Sequence, residues 1–210
     1  VKFGDRTSRS YFLAHGRFDP GGPWRWGFTV EQTSDKTLFD RYDIRDPYQD
    51  NGLYYGDQRR LISQLYVERQ TARSYVSAAA FTIQSLRLDP DFDDTDFRNT
   101  DGFKVFENEG RLPIVAPLIE ARWEPGGPVL GGRLRLRGSA VSLYRDDYVG
   151  GPVLRPEIIP TGSTLGLPGV DSRRVSGQAE WRRTMISPIG VRWEPFVDLR
   201  ADAYSVSDLP

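Results

Sequence analysis

Three arginines at alternate positions are the residues in this chain whose type and spacing most clearly permit recognition chemistry. Arg133, Arg135 and Arg137 stand at positions i, i+2 and i+4, and residues with that spacing share one face of a β-strand. Guanidinium groups match phosphate and carboxylate oxygens as two-pronged donors, so such a stripe could follow an anionic ligand. The stripe could instead pair with acids on a neighbouring strand, such as Glu120 or Glu180, and we favour this structural interpretation.

Two further groups of residues invite a metal-binding or catalytic interpretation, and both lack required partners. The aspartates within 89–96 are spaced like cation ligands, but an EF-hand needs a glutamate at its twelfth position, where this chain has Thr100. His15 is the sole histidine and lies near no nucleophile motif. We therefore favour a structural role for His15 and predict no metal site and no cofactor. Residues 88–111 are interpreted as a solvated acidic loop, with a cation bridge to lipid headgroups as the alternative.

Alternation with a period of two runs through the chain and predicts an all-β fold. In residues 191–204 one alternate set is uncharged, whereas five of the seven residues in the other set are charged. This is typical of a strand with one apolar and one polar face. Extended, the segment would reach about 46 Å, far longer than the usual strand of a soluble domain. Further strands are predicted at 7–17, 24–31, 37–44, 59–69, 73–86, 112–123, 130–144 and 173–184.

The two alternate sets are expected to face different environments. Lipid-facing and lumen-facing residues alternate along a membrane-spanning β-strand, so the charged set is assigned to a polar lumen and the apolar set to lipid. The candidate lumen-facing residues are Arg133, Arg135, Arg137, Glu180, Arg182, Arg192, Glu194, Asp198, Arg200 and Asp202. The candidate lipid-facing residues are Leu134, Leu136, Trp181, Trp193, Val197 and Leu199. Tryptophans near strand ends are typical of a membrane interface, although a soluble core would also bury them.

The connections between predicted strands alternate in length, which indicates an up-and-down antiparallel transmembrane β-barrel of nine or ten strands. Outer-membrane barrels place short turns in the periplasm and long loops outside. Short turns are expected at 18–23, 33–36, 70–72, 124–129 and 187–190, and long loops at 45–57, 88–111 and 145–172. The alternation is regular from residue 33 onward. The strand that follows 187–190 therefore begins at the periplasmic side.

Composition restricts the class of protein further. The 210 residues include 28 basic and 29 acidic side chains with a net charge of −1, so nucleic acid is not an expected partner. No run approaches the roughly 18 apolar residues of a membrane-spanning helix. The chain has no cysteine, which excludes disulfides and Cys-ligated metals. Its first residues do not form a secretory signal and both ends look truncated, so we expect part of a longer protein.

Several segments resemble the barrel domain of the LptD family, the OstA-type lipopolysaccharide-assembly proteins. The most specific are LPIVAPLIEARWEP at 112–125, followed by a GGRL strand, and the SPIG turn at 187–190, which leads into PFVDLRADAY. The opening segment RWGFTVEQTSDKTLFDRYDI at 25–44 is also similar. The resemblance therefore extends over most of the chain.

The resemblance implies a barrel in the cell outer membrane that receives lipopolysaccharide from a periplasmic bridge and inserts it into the outer leaflet. It also implies an LptE-like lipoprotein plug in the lumen and an LptA-like partner docked on an N-terminal jellyroll. Because the family performs transport rather than bond chemistry, the resemblance implies no enzymatic activity. That jellyroll is not present in the chain, the predicted strands are too few for the family's barrel, and the cysteines of some members are missing. Residues 1–210 are accordingly expected to form part of one barrel domain. A small porin-like barrel and a soluble β-rich carbohydrate-binding domain are the alternatives.

Overall fold

A computed structural model describes residues 9–45, 51–55, 59–87, 110, 112–146 and 170–207. Ten strands and one short helix occupy these residues. The strands are β1 Tyr11–Phe18, β2 Trp24–Thr33, β3 Arg60–Gln70, β4 Ser74–Ser85, β5 Ile114–Trp123, β6 Arg133–Tyr144, β7 Asp171–Arg182, β8 Met185–Ile186, β9 Arg192–Trp193 and β10 Phe196–Ser207. Helix α1 spans Leu38–Tyr42. Within the described ranges, no helix has the length and apolar character needed to cross a membrane.

Eight of the strands form one antiparallel sheet that follows the order of the chain, except that β7 pairs with β10 and the β8–β9 hairpin lies between them in sequence. The order is β1-β2-β3-β4-β5-β6-β7-β10, while β8 and β9 pair only with each other. The prediction of an all-β, up-and-down antiparallel fold is therefore confirmed. Strands β1 and β10 are the two edges of the sheet and are not paired with one another. An unclosed sheet of this kind is what part of a larger barrel would contribute.

The connections of the sheet alternate between short and long from the first strand to the last. Because consecutive strands are antiparallel, every short connection falls at the same end of the sheet, which we call the short-turn end. The short connections are 19–23, 71–73, 124–132 and 183–195, and the long ones are 34–59, 86–113 and 145–170. The predicted alternation is confirmed from the long loop at 45–57 onward. The short turn predicted at 33–36 is wrong, because helix α1 rather than a strand follows it and residues 34–36 begin the long connection 34–59. With that correction the alternation extends back to β1.

One predicted strand is a helix. The alternation within 37–44 predicts a strand, but α1 occupies most of this segment. Its residues Leu38 and Phe39 are both buried, in one cluster with Leu61 and Leu86. Two adjacent apolar side chains cannot both reach such a cluster from one face of a strand, whereas adjacent helical positions can. Packing against distant residues therefore outweighs the local alternation.

A second predicted strand is divided. The alternation within 191–204 predicts one continuous strand, but β9 pairs with β8, and β10 begins only at Phe196. Pro195 separates β9 from β10, and a proline has no N–H to donate to a ladder. Its carbonyl instead accepts a hydrogen bond from the N–H of Arg183 at 3.0 Å. The predicted turn at 187–190 is present, and it closes the small β8–β9 hairpin rather than joining two long strands.

The sheet reverses the distribution of polarity found in water-soluble proteins. On β3, Leu65 is 60% exposed and the adjacent Tyr66 is 6% exposed, and the polar residues Gln64 and Glu68 on the side of Tyr66 are also buried. We call the side of Leu65 the apolar face and the side of Tyr66 the polar face. The pairing register extends the apolar face over all strands of the sheet. Its exposed residues include Trp24, Trp26, Val67, Val76, Ile119, Trp123, Val175, Val197 and Leu199.

Trp181 is fixed on the apolar face by the connection between β5 and β6. Its indole Nε1 donates a hydrogen bond to the carbonyl oxygen of Val129 at 2.7 Å. Two backbone hydrogen bonds between Val129 and Gly132 close the tight turn that presents this carbonyl. A Cβ on Gly132 would lie 2.5 Å from Cε2 of Trp181. The glycine therefore provides the space in which the indole ring lies.

We expect Gly132→Ala to displace the Trp181 ring, because the added methyl group would lie 2.5 Å from Cε2 of that ring. The methyl group would also lie 2.7 Å from the carbonyl oxygen of Arg182, so it is crowded from two sides. Overpacking of this kind costs about 1–3 kcal/mol of the free energy of unfolding. Urea unfolding of the full-length protein in detergent, followed by tryptophan emission, measures this loss. Gly127→Ala is the matched control, because no atom lies within 4 Å of a Cβ there. Equal stabilities of the two variants would contradict the prediction.

Candidate functional site

The pairing register collects most of the predicted polar residues on the polar face of the last three strands of the sheet. Arg135, Glu180 and Asp198 lie directly opposite one another on β6, β7 and β10, and directly opposed residues point to the same side. The predicted lumen-facing residues on this face are Arg133, Arg135, Arg137, Glu180, Arg182, Asp198, Arg200 and Asp202. Arg192 lies in β9 and Glu194 follows it, both outside the sheet.

The predicted lipid-facing residues share the opposite side of the same strands. Those on the apolar face are Leu134, Leu136, Trp181, Val197 and Leu199. Trp193 lies in β9, where it pairs with Met185 rather than with the sheet. The two predicted sets are thus separated by the sheet, while contact of either set with lipid or lumen stays a prediction.

The arginine stripe is largely paired, as the structural interpretation predicted, but its main carboxylate partner is a residue that the sequence did not indicate. Glu124, just after β5, accepts a hydrogen bond from Nε of Arg133 and lies 3.5 Å from Nε of Arg135. Nη2 of Arg137 lies 4.0 Å from Glu180, one of the two acids expected. Glu124 therefore takes the place that the sequence gave to Glu120, because the 124–132 connection brings it back beside the start of β6.

A second group of ion pairs surrounds Glu194 and ties the β8–β9 hairpin to the polar face. Arg182 donates a hydrogen bond to Oε1 of Glu194 at 3.3 Å, and Arg192 donates to its Oε2 at 3.3 Å. The hydroxyl of Thr184 donates to the same Oε2 at 3.1 Å. Arg182 also donates to Glu180. The hairpin is therefore joined to the sheet by the ion pair between Arg182 and Glu194 as well as by the continuous backbone.

The two acids of β10 on this face are also satisfied. Nε2 of Gln178 donates to both carboxylate oxygens of Asp198, at 3.0 and 2.8 Å. Arg200 donates two hydrogen bonds to Asp202, at 2.9 and 3.1 Å, and the hydroxyl of Ser176 donates another. Specific donors on the polar face therefore hold both carboxylates in place.

The polar face continues across β2, β3 and β4, a region that the sequence analysis did not assign to the site. Oε1 of Gln64 accepts hydrogen bonds from the N–H groups of Leu53 and Tyr54, each at 3.0 Å. The ring of Tyr54 lies 5.4 Å from that of Phe81, measured between centroids. Residues 51–55 therefore cover part of this face, which explains the burial of Gln64. The alternation of polar residues along β3 was the available signal for this extension.

The positive charge of one pair of arginines on the polar face is only partly neutralised by nearby carboxylates. Arg122 and Arg137 lie directly opposite each other on β5 and β6, and like charges in that position repel. The guanidinium of Arg122 lies over the ring of Tyr75, 5.9 Å from its centroid. With Arg137 only at the limiting distance from Glu180, the pair leaves positive charge in front of the sheet. This arrangement can hold an anionic group.

Neither of the sequence features that suggested metal or acid–base chemistry forms a site among the described residues. His15 lies on β1 opposite Thr29. No cluster of His, Cys, Asp or Glu suited to a metal ion occurs within the described ranges. The aspartates within 89–96 lie outside them.

Comparison with known proteins identifies the family of this chain. The family model for LptD, described as LPS transport system D, matches residues 7–209. The chain belongs to the LptD family. Comparisons with curated proteins and with solved structures gave no match. The resemblance that the sequence indicated is confirmed, and membership places this LptD-family protein in the outer membrane with a role in lipopolysaccharide transport and assembly.

Two carboxylates at the short-turn end of the LptD-family sheet, those of Glu124 and Glu194, have pKa values below their ordinary range. The hydrogen bond from Arg133 is the main cause that lowers the pKa of Glu124, and the charge of Arg135 adds to it. At Glu194 the hydrogen bond from Thr184 is the main cause that lowers the pKa, followed by Arg192. Both groups lie outside the long strands and remain ionised at neutral pH.

We expect Arg133→Ala to raise the pKa of Glu124 toward its ordinary value of 4.5. Because the folded-state pKa is lowered, the pairing stabilises the turn above the unfolded-state pKa, and this stabilisation is lost as pH falls through the folded value. A carboxyl NMR titration of the labelled full-length protein measures the shift. Arg137→Ala, which removes a partner of Glu180 instead, should leave Glu124 unchanged. An unaltered pKa in the Arg133 variant would refute the assignment.

The two faces of β7 provide a matched test of which side meets lipid. Val175 is on the apolar face, and Ser176 is on the polar face beside Asp202. We expect Val175→Arg to weaken barrel assembly by about 2–4 kcal/mol, the cost of an arginine facing the middle of a bilayer. Ser176→Arg should assemble normally, because its guanidinium can pair with Asp202. Heat-modifiable migration of the full-length protein reports assembly, and equal losses in both variants would reverse the facing assignment.

Proposed function

We propose that this chain forms part of the wall of a barrel through which lipopolysaccharide passes before insertion into the outer leaflet. The observation that carries this proposal is the reversed polarity of the sheet, in a chain matched to a lipopolysaccharide-transport family over residues 7–209. A wall in lipid needs paired backbone groups and an apolar exterior, and the sheet offers both. The polar face would then line an aqueous lumen.

The chemistry of the polar face suits an anionic cargo. Lipopolysaccharide carries phosphate and sugar-acid groups, which the planar guanidinium fork matches. Arg122 and Arg137 are the arginines that we assign to cargo contact, because they oppose each other without full compensation. Arg133 and Arg135 share Glu124 and are assigned a structural role.

The proposed partners follow from the family and from the form of the sheet. We infer an LptE-like plug inside the lumen, where a charged and hydrogen-bonding face suits contact with protein. An LptA-like periplasmic bridge would dock through an N-terminal jellyroll outside residues 1–210. These residues would form part of one barrel domain, because the edges of β1 and β10 carry unpaired backbone groups that cannot face lipid.

The alternatives account for fewer of the observations. A soluble carbohydrate-binding domain would bury the tryptophans and aliphatic residues that this sheet exposes. A porin-like barrel would share the polarity of the sheet, but the family match supports lipopolysaccharide as the cargo.

Site-specific photo-crosslinking in living cells tests this function. A photoreactive residue replacing Gln178, on the polar face, should form lipopolysaccharide adducts that disappear when supply from the periplasm is blocked. Ala179, the adjacent residue on the apolar face, is the matched position and should give adducts that do not depend on supply. Absence of adducts at Gln178, or adducts there that persist without supply, would refute passage along the polar face.

A further inference from the structure

Two neighbouring connections at the short-turn end present aliphatic side chains that the sheet does not cover. Leu130, in the connection between β5 and β6, is 85% exposed, and Ile189, in the hairpin before β10, is 86% exposed. Tight turns favour glycine, asparagine, aspartate and serine. An aliphatic residue at a turn tip in water gains nothing from its side chain. Both positions therefore point to a contact outside the described sheet.

The backbone at Leu130 strengthens this inference. Its φ is 51°, in the left-handed region, and the next residue, Gly131, also has a positive φ of 74°. A bulky residue is unfavourable in that region, and such outliers persist where the surrounding structure imposes them and a function uses them. The two hydrogen bonds between Val129 and Gly132 impose this conformation. The chain thus keeps a strained leucine at an exposed position where glycine or asparagine would be unstrained.

The same two connections adjoin the apolar face of the sheet. Trp181, on the apolar face, is hydrogen-bonded to the turn at 129–132. In the β8–β9 hairpin, Glu194 accepts hydrogen bonds from Arg192 and from Arg182, which lies on the polar face. The alternate residues Val191 and Trp193 therefore lie on the opposite side, and both are exposed.

A basic side chain accompanies these apolar tips. A Cβ on Gly131 would lie 3.0 Å from Cζ of Arg183, so that guanidinium lies next to the turn of Leu130. Arg192 is paired with Glu194 on the other side of the hairpin, so Arg183 is the cation next to the apolar residues. Arginine reaches lipid phosphates while its stem lies along apolar surface, and tryptophan prefers the headgroup level. Aliphatic, aromatic and basic groups together match the boundary between acyl chains and anionic headgroups.

We propose that the turns 129–132 and 187–190, together with Val191 and Trp193, form an interfacial anchor that inserts into the periplasmic leaflet of the outer membrane. Leu130 and Ile189 enter the boundary of the acyl chains, Trp193 lies among the headgroups, and Arg183 binds lipid phosphate. The anchor holds the short-turn end of the wall at a fixed depth. This proposal depends on the membrane location of the family and is independent of the cargo.

Single-cysteine labelling tests the anchor, because this chain has no native cysteine. Leu130→Cys and Ile189→Cys are made separately in full-length protein without other cysteines, labelled with NBD, and reconstituted in phosphatidylethanolamine–phosphatidylglycerol vesicles. We expect blue-shifted emission and several-fold stronger quenching by a lipid carrying a shallow nitroxide than by aqueous iodide. Gly127→Cys, in an open part of the same connection as Leu130, is the control and should show the reverse.

Iodide quenching at positions 130 and 189 equal to that at 127 would overturn the anchor. Protection that arises only when a periplasmic protein is added would also overturn it, and would make this surface a protein docking site. Leu130→Asn and Ile189→Asn give a second measurement that needs no label. Combined in one variant, they should leave heat-modifiable migration normal and reduce nitroxide-lipid quenching of Trp193, measured as the difference from a matched Trp193→Phe protein. The difference is needed because the tryptophans on the apolar face are quenched in either case. Unchanged quenching in the folded double variant would count against insertion.

Discussion

A backbone N–H or C=O that faces hydrocarbon must be paired within the protein, because lipid offers no hydrogen-bonding partner. Seven antiparallel pairings meet most of this requirement from β1 to β10. The β2–β3 ladder ends at the pair Thr29 and Gln64, and beyond it the N–H groups of Glu31 and Thr33 donate to side chains. Pro117, which has no N–H, lies where the register between β5 and β6 shifts between Val115 and Leu118. The ladder thus admits a proline at an irregularity, where no regular bond is lost.

The ladder also determines which side chains meet. A slip of one residue would exchange the polar and apolar faces of a strand, so burial and charge both oppose it. The row formed by Arg135, Glu180 and Asp198 depends on the register of three strands at once. Ion pairs on a half-exposed face add little stability singly. The native register itself opposes Arg122 to Arg137 and Arg133 to Arg182, so charge alone does not select it. The separation of polar and apolar faces therefore contributes most to the specificity of the register.

The parts of this fold that could be predicted are those determined by local pattern. Period-two alternation depends only on successive side chains, so it identified the long strands and separated Leu199 from Arg200. Helix α1 could not be found in this way, because Phe39 is buried with Leu61 and Leu86, whose proximity depends on the folded sheet. The role of Glu124 was missed for a similar reason, since the conformation of the 124–132 connection brings it to Arg133. Contacts that depend on turns need the turns to be known first.

A lumen that carries an anionic lipid must attract it without retaining it, since passage requires binding weak enough for release. The polar face of this LptD-family sheet is suited to that compromise. At the short-turn end Arg133 and Arg135 share Glu124, and Arg182 is divided between Glu180 and Glu194, so these cations are largely neutralised. Next inward from this end, Arg122 and Arg137 oppose each other, with Arg137 no nearer than 4.0 Å to Glu180. In the proposed transport route, a cargo entering at the short-turn end would meet compensated charge first and weakly attractive charge next, which would favour movement inward over capture at the entrance.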